Sequence, residues 1–125
     1  MIVKDWSKYA PEFEKSEFDC KCGCGLNNMQ ESHMDKIYAA RIDANIPFVI
    51  RSGSRCEKHN KDEGGESTSD HLYGHGSDIG AKSGRAKYRI ETALLKVGFT
   101  RMGRGKTFVH AGDAPQNPER VFWSY

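Results

Sequence analysis

The residues best suited to chemistry lie together in Ser69-Asp70-His71-Leu72-Tyr73-Gly74-His75-Gly76-Ser77-Asp78-Ile79, two histidines and two aspartates around two glycines. A neutral imidazole and a carboxylate are two of the ligand types a catalytic zinc uses, leaving room for a third ligand and a water. His71 and Asp78 are seven positions apart, an odd spacing that a regular strand would send to opposite faces. A turn or bulge must intervene if they are to meet, and Gly74 and Gly76 permit one. Taken alone, the stretch fits equally a metal site and a polar glycine loop whose charges are solvated. Asp70 adjoins His71, and adjacent side chains seldom converge on one ion. His75, between the glycines, competes with His71 for the same role.

Three other groups carry chemistry. Arg55 closes Ser52-Gly53-Ser54-Arg55 after a short β-rich run, where a planar cation can face a carbonyl or carboxylate; the alternative is a surface salt bridge. Cys20, Cys22 and Cys24 alternate with Lys21 and Gly23, and Cys56 stands alone. Four-sulfur zinc sites usually combine two Cys-x2–4-Cys knuckles, so this spacing favours reduced thiols in a tight turn. A second metal and a disulfide formed after release are the alternatives. His33 and Asp35 fall on a helical segment without His-Glu-x-x-His, so a thermolysin-like zinc helix is absent and His33 reads as a surface residue. His59 reads as a solvated loop residue.

The elements that must position these groups follow in order. Trp6, Tyr9, Phe13 and Phe18 pack an N-terminal arm, residues 1–19, onto the domain. Asn28 followed by Glu31 predicts a capped helix start, and Met34, Ile37, Tyr38, Arg41 and Ile42 continue at helical spacing to about Ala44. A short strand is expected over 46–51, with Pro47 near its start. The polar segment 58–70 reads as one wall of a cleft, since long irregular loops in small domains are functional or mobile. A strand is expected over 78–81, then a helix capped by Ser83 and ended by Gly98. Strands at 99–102 and 106–110 flank a turn at Gly103-Arg104-Gly105, and 121–125 closes the chain as a strand. The class is therefore α+β, a mainly antiparallel sheet backed by helices.

At 125 residues the chain suits one domain, 1–125, with a single core. A net charge of +2 with 29% charged residues gives a mixed surface, too weakly basic to argue for nucleic acid and no obstacle to an anionic polymer such as a wall glycan. No run is long and apolar enough to cross a bilayer. Met1-Ile2-Val3-Lys4-Asp5-Trp6 lacks the apolar core of a signal peptide. The expectation is synthesis in the cytoplasm, action at the cell wall after release or as part of a virion, no membrane partner, and a monomer.

Ser-x-His-x-x-Gly-x-x-x-Asp-Ile over residues 69–79 resembles the signature of the zinc D-Ala-D-Ala carboxypeptidase family of murein peptidases (M15-type). Ser52-Gly53-Ser54-Arg55, Gly98-Phe99 and Phe108-Val109-His110 match further pieces in order. Phe18-Asp19-Cys20-Lys21-Cys22-Gly23 and the closing Val121-Phe122-Trp123-Ser124-Tyr125 resemble the short phage and prophage branch. The resemblance runs from about residue 13 to the end. It implies the hedgehog-like zinc peptidase fold and one Zn2+ held by His71, Asp78 and His110. The position left open takes a water whose pKa falls towards ~7. It also implies that Arg55 stabilises the oxyanion, and Ser69 fits as a hydrogen-bonder that helps orient a ligand.

The pattern breaks after the last histidine. Larger relatives place an acid three residues before it, here Thr107; the short branch commonly reads His-Val-Asp, whose acid sits two residues after it on the same strand face. This chain has His110-Ala111-Gly112-Asp113. Asp113 is the expected general base if Gly112 allows a bulge that turns it inward. The implied function is hydrolysis of a peptide bond in peptidoglycan stem peptides, with carboxy- and endopeptidase action both open. A non-catalytic, zinc-stabilised wall-binding or virion-structural module is the alternative; a cysteine-zinc nucleic-acid module lacks support from the charge balance.

Overall fold

The computed structural model describes residues 1–125. Three α-helices, α1 (Glu31–Ala44), α2 (Glu57–Asp62) and α3 (Gly84–Lys96), combine with five strands, β1 (Ile50–Ser52), β2 (Gly76–Gly80), β3 (Arg101–Arg104), β4 (Phe108–Gly112) and β5 (Val121–Ser124). The sheet runs β1-β2-β4-β3-β5. Every pairing is antiparallel except β3 with β5, which is parallel. The class is α+β, with β4 at the centre between β2 and β3.

Burial divides the central strands by face. Ile79 of β2 and Val109 and Ala111 of β4 are fully buried in one cluster with Met34 and Ile37 of α1 and Ile90 and Leu94 of α3. Asp78 and His110, paired in register across β2 and β4, therefore project from the opposite face, as a period of two requires. The arm packs as its aromatics suggest: Trp6 meets Tyr9 and Phe18, and Phe13 meets Phe18 and Phe48.

Several boundaries differ from expectation. Asn28 does not cap α1: Gln30 precedes the helix without a side-chain cap, and the Asn28 amide instead donates to the Leu72 carbonyl at 3.0 Å. Ile42 is exposed. His33, expected at the surface, is wholly buried because α1 turns it towards the sheet, where it finds hydrogen-bond partners. Only Ile50–Ser52 of the expected 46–51 strand pairs, and part of the expected loop 58–70 is α2. Ser83 caps α3 as expected, its hydroxyl accepting from the Ala86 N–H at 3.1 Å.

Candidate metal centre

Local structure aims His71. Residues Asp70–Tyr73 form one 3-10 turn; the Ser69 hydroxyl accepts from the His71 N–H at 3.3 Å, and Gly74 ends the turn in the left-handed conformation. A side chain at Gly74 would also overlap the Asn28 carbonyl, so the chain reverses here only with glycine. The reversal delivers His71 beside Asp78 despite their odd spacing, and the β2–β4 register brings His110 opposite Asp78. His71 Nε2 lies 3.2 Å and His110 Nδ1 2.8 Å from Asp78 Oδ1. All three residues are buried, and their donor atoms lie within 4.8 Å of one another.

The outward nitrogens decide whether these groups suit a cation. His71 Nδ1 lies 2.7 Å from the Gly53 carbonyl oxygen, which only accepts, so that nitrogen carries the proton. His110 Nε2 lies 2.8 Å from Asp70 Oδ2 and donates likewise. In the neutral rings, Nε2 of His71 and Nδ1 of His110 therefore present lone pairs inward, beside an ionised carboxylate. Two imidazoles and one carboxylate fit a divalent metal with a free position. Without a cation, burial works against charge on His110, but its bonds to Asp70 and Asp78 prevail and push it up to about 8. For His71 burial prevails and its pKa is lowered.

Asp70 is the site residue that sequence reasoning passed over. Its Oδ2 accepts from His110 Nε2 and from Arg101 Nε at 3.0 Å; its Oδ1 accepts from the Ala114 N–H at 3.2 Å and the Asn117 amide at 3.0 Å. Burial would raise its pKa, but these bonds hold it well below the usual carboxylate range. A Cβ built on Gly112 would overlap the Asp70 carboxylate. The Asp70 carboxylate, arriving from the neighbouring turn, thus fills the space that a side chain at position 112 would take. Gly112, where the resemblance leads one to expect an acid, was the signal available.

Arg55 is likewise brought in. Its Nε donates to Ser52 Oγ at 3.0 Å, Nη1 to Asn60 Oδ1 at 3.3 Å and Nη2 to Asp78 Oδ2 at 3.2 Å. These three bonds fix the guanidinium plane next to the cluster. Asp78, with burial opposing, is held well below the ordinary range by His71 and His110.

Asp113 is not brought in, which corrects the expectation of a bulge. Gly112 stays in register with Gly76, and the Asp113 N–H continues the ladder to the His75 carbonyl at 3.0 Å. Alternation then turns Asp113 to the helix side, against His33 Nδ1 at 2.7 Å, His75 Nδ1 at 2.9 Å and Lys36 Nζ at 2.7 Å. His75 belongs to this second cluster and not to that of His71. His59, expected in solvent, sits in α2 with only a small part of its side chain exposed, 3.7 Å from Glu63.

The family model described as Peptidase M15 matches residues 11–112. The chain belongs to the peptidase M15 family. No curated protein matches it. In this M15 chain the His71–Asp78–His110 cluster lies in a cleft of about 860 Å3. Phe108, Trp123 and Tyr125 form an aromatic wall, Lys21, Arg51 and Arg101 supply cations, and Glu63 and Glu66 line the loop side. The family and the cleft make it a peptidase with a peptide substrate.

Proposed function

We propose that this chain is a zinc-dependent peptidase that hydrolyses a peptide bond in peptidoglycan stem peptides, at a bond involving a D-amino acid, in a phage or prophage lysis or tail-associated setting. The observation that carries the reading is the convergence of His71, Asp78 and His110 with both ring lone pairs directed inward. A zinc ion held there would acidify a water and polarise the scissile carbonyl.

The chain's own residues supply the rest. Arg55, locked by Ser52, Asn60 and Asp78, keeps a fixed cation where charge develops on the carbonyl oxygen. Asp70 holds the His110 ring through Nε2. The aromatic wall and the flanking cations suit a peptide that carries a free carboxylate, as stem peptides do. With Asp113 across the sheet, proton transfer falls to groups of the loop wall, Glu63, Glu66 or His59.

Purified peptidoglycan incubated with the protein should release new amino groups, with activity lost on chelation and regained with zinc. His71→Ala and Asp78→Ala should lose zinc and activity together. Arg55→Gln should keep zinc and lose about 10²–10³ in kcat. Zinc-free protein with unchanged activity would refute the mechanism. The second reading, a zinc-stabilised wall-binding module, is favoured by the lack of an acid after His110 on its own strand face; wall binding with no amino groups released would establish it.

A further inference from the structure

The four cysteines are the strongest feature that the peptidase reading leaves unused. Cys20, Cys22 and Cys24 follow the 3-10 turn Lys15–Phe18 of the arm, and Cys56 follows Arg55 at the N-cap of α2. The fold joins them: the Ser54 N–H donates to the Phe18 carbonyl at 2.9 Å, so the two segments run side by side, and the lone cysteine arrives next to the other three. All four sulfurs lie within 4.8 Å of one another. Cys20 Sγ is 3.5 Å from Cys22 Sγ, which is 3.7 Å from Cys56 Sγ. Four thiolates at ~2.3 Å around a tetrahedral zinc are about 3.8 Å apart along each edge, whereas a disulfide brings only two sulfurs to ~2.05 Å. All four are free thiols.

The backbone suits the same occupant. Gly23 and Gly25 take φ of +86° and +87°, and this tight reversal lets alternate residues turn their sulfurs to one side. The Cys56 N–H donates to Cys20 Sγ at 3.5 Å and the His59 N–H to Cys56 Sγ at 3.4 Å, so backbone donors already face two of the sulfurs.

We infer that Cys20, Cys22, Cys24 and Cys56 form a second, structural metal site, a closed tetrahedral Zn2+ site of four thiolates separate from the His71 cluster. Binding exchanges up to four thiol protons, released to solvent, for four zinc–sulfur bonds. The metal staples the arm to the Ser52–Cys56 segment and so braces Arg55. Its chemistry is inert, since no ligand position stays open.

Cobalt titration of the reduced, metal-stripped chain tests this. Two equivalents should bind, one of them with an intense sulfur-to-cobalt charge-transfer band, and His71→Ala should retain one equivalent and that band. Cys22→Ser/Cys24→Ser should lose the band and keep the other equivalent. Thiol alkylation of the unaltered chain gives a readout independent of variant folding: all four cysteines should be protected by zinc and exposed by chelator. No charge-transfer band, alkylation rates indifferent to zinc, or disulfides in protein purified under reducing conditions would overturn the site. None of these readouts depends on peptidase activity.

Discussion

His110 stands between two carboxylates, one facing the metal position and one behind it. The rear partner, Asp70, uses both oxygens and four donors, so it positions the ring rather than shuttling protons. Asp70→Ala should weaken metal binding about 10–100-fold, measured by competition with a chromophoric chelator. Gly112→Asp alone should also impair binding, because the new side chain falls on the Asp70 carboxylate. Asp70→Gly/Gly112→Asp should restore much of the affinity, moving the acid onto β4 itself. Additive losses in the double variant would show that the two positions do not share a role.

Elements decide which acids reach which face. The β2–β4 ladder runs without a bulge, so His110 and Gly112 face the cleft while Ala111 and Asp113 face the helices. Asp113 then holds α1 to the sheet through His33 and Lys36, and His33 Nε2 accepts from the Ser77 hydroxyl at 2.7 Å. Burial opposes the charge on Asp113, but its partners hold its pKa well below the usual range. Burial, only partly opposed by Asp113, lowers that of His33. Both groups therefore bind fewer protons folded than unfolded, so stability falls with acid. The loss should begin below about pH 6.5 through His33 and steepen below about pH 4 through Asp113. Urea midpoints between pH 8 and pH 3.5 measure it. Asp113→Asn should cost about 1–3 kcal/mol at pH 7 and flatten the acid limb.

The helix and strand order was legible because Ser83, Gly98 and the β-rich 106–110 run carry local signals, although the strands lie two residues later, at Arg101–Arg104 and Phe108–Gly112, and take in Gly103 and Arg104 of the expected turn. The face of Asp113 was not, because a single ladder bond from its N–H to the His75 carbonyl determines it. His33 was missed for a similar reason: a polar residue on an amphipathic helix reads as exposed until its partners, Asp113 and Ser77, arrive from distant segments. The meeting of His71 with Asp78 was readable from Gly74, and that of Cys56 with the other thiols was not.

For the whole molecule, the cleft joins elements far apart in the chain: the loop after α2, the centre of the sheet, and β5 along its parallel edge. Trp123 of β5 covers the Arg101 guanidinium at 4.7 Å and lies 5.5 Å from the His110 ring. Trp123→Ala removes a cation–π contact of about 0.5–2 kcal/mol and one wall of the cleft. It should raise KM several-fold with the metal content unchanged, by steady-state kinetics and metal analysis on the same preparation. A loss of metal instead would mean that β5 shapes the centre itself.

Gly53 links the arm to this centre more tightly than distance along the chain suggests. Its carbonyl accepts from the His71 Nδ1–H on one side, and on the other a Cβ would lie only 2.8 Å from the Phe18 backbone. A single peptide plane thus separates the arm from the imidazole. A chain clipped within the arm would keep His71, Asp78 and His110 yet lose the backing that aims His71, leaving a dormant protein whose defect no inventory of its side chains would reveal.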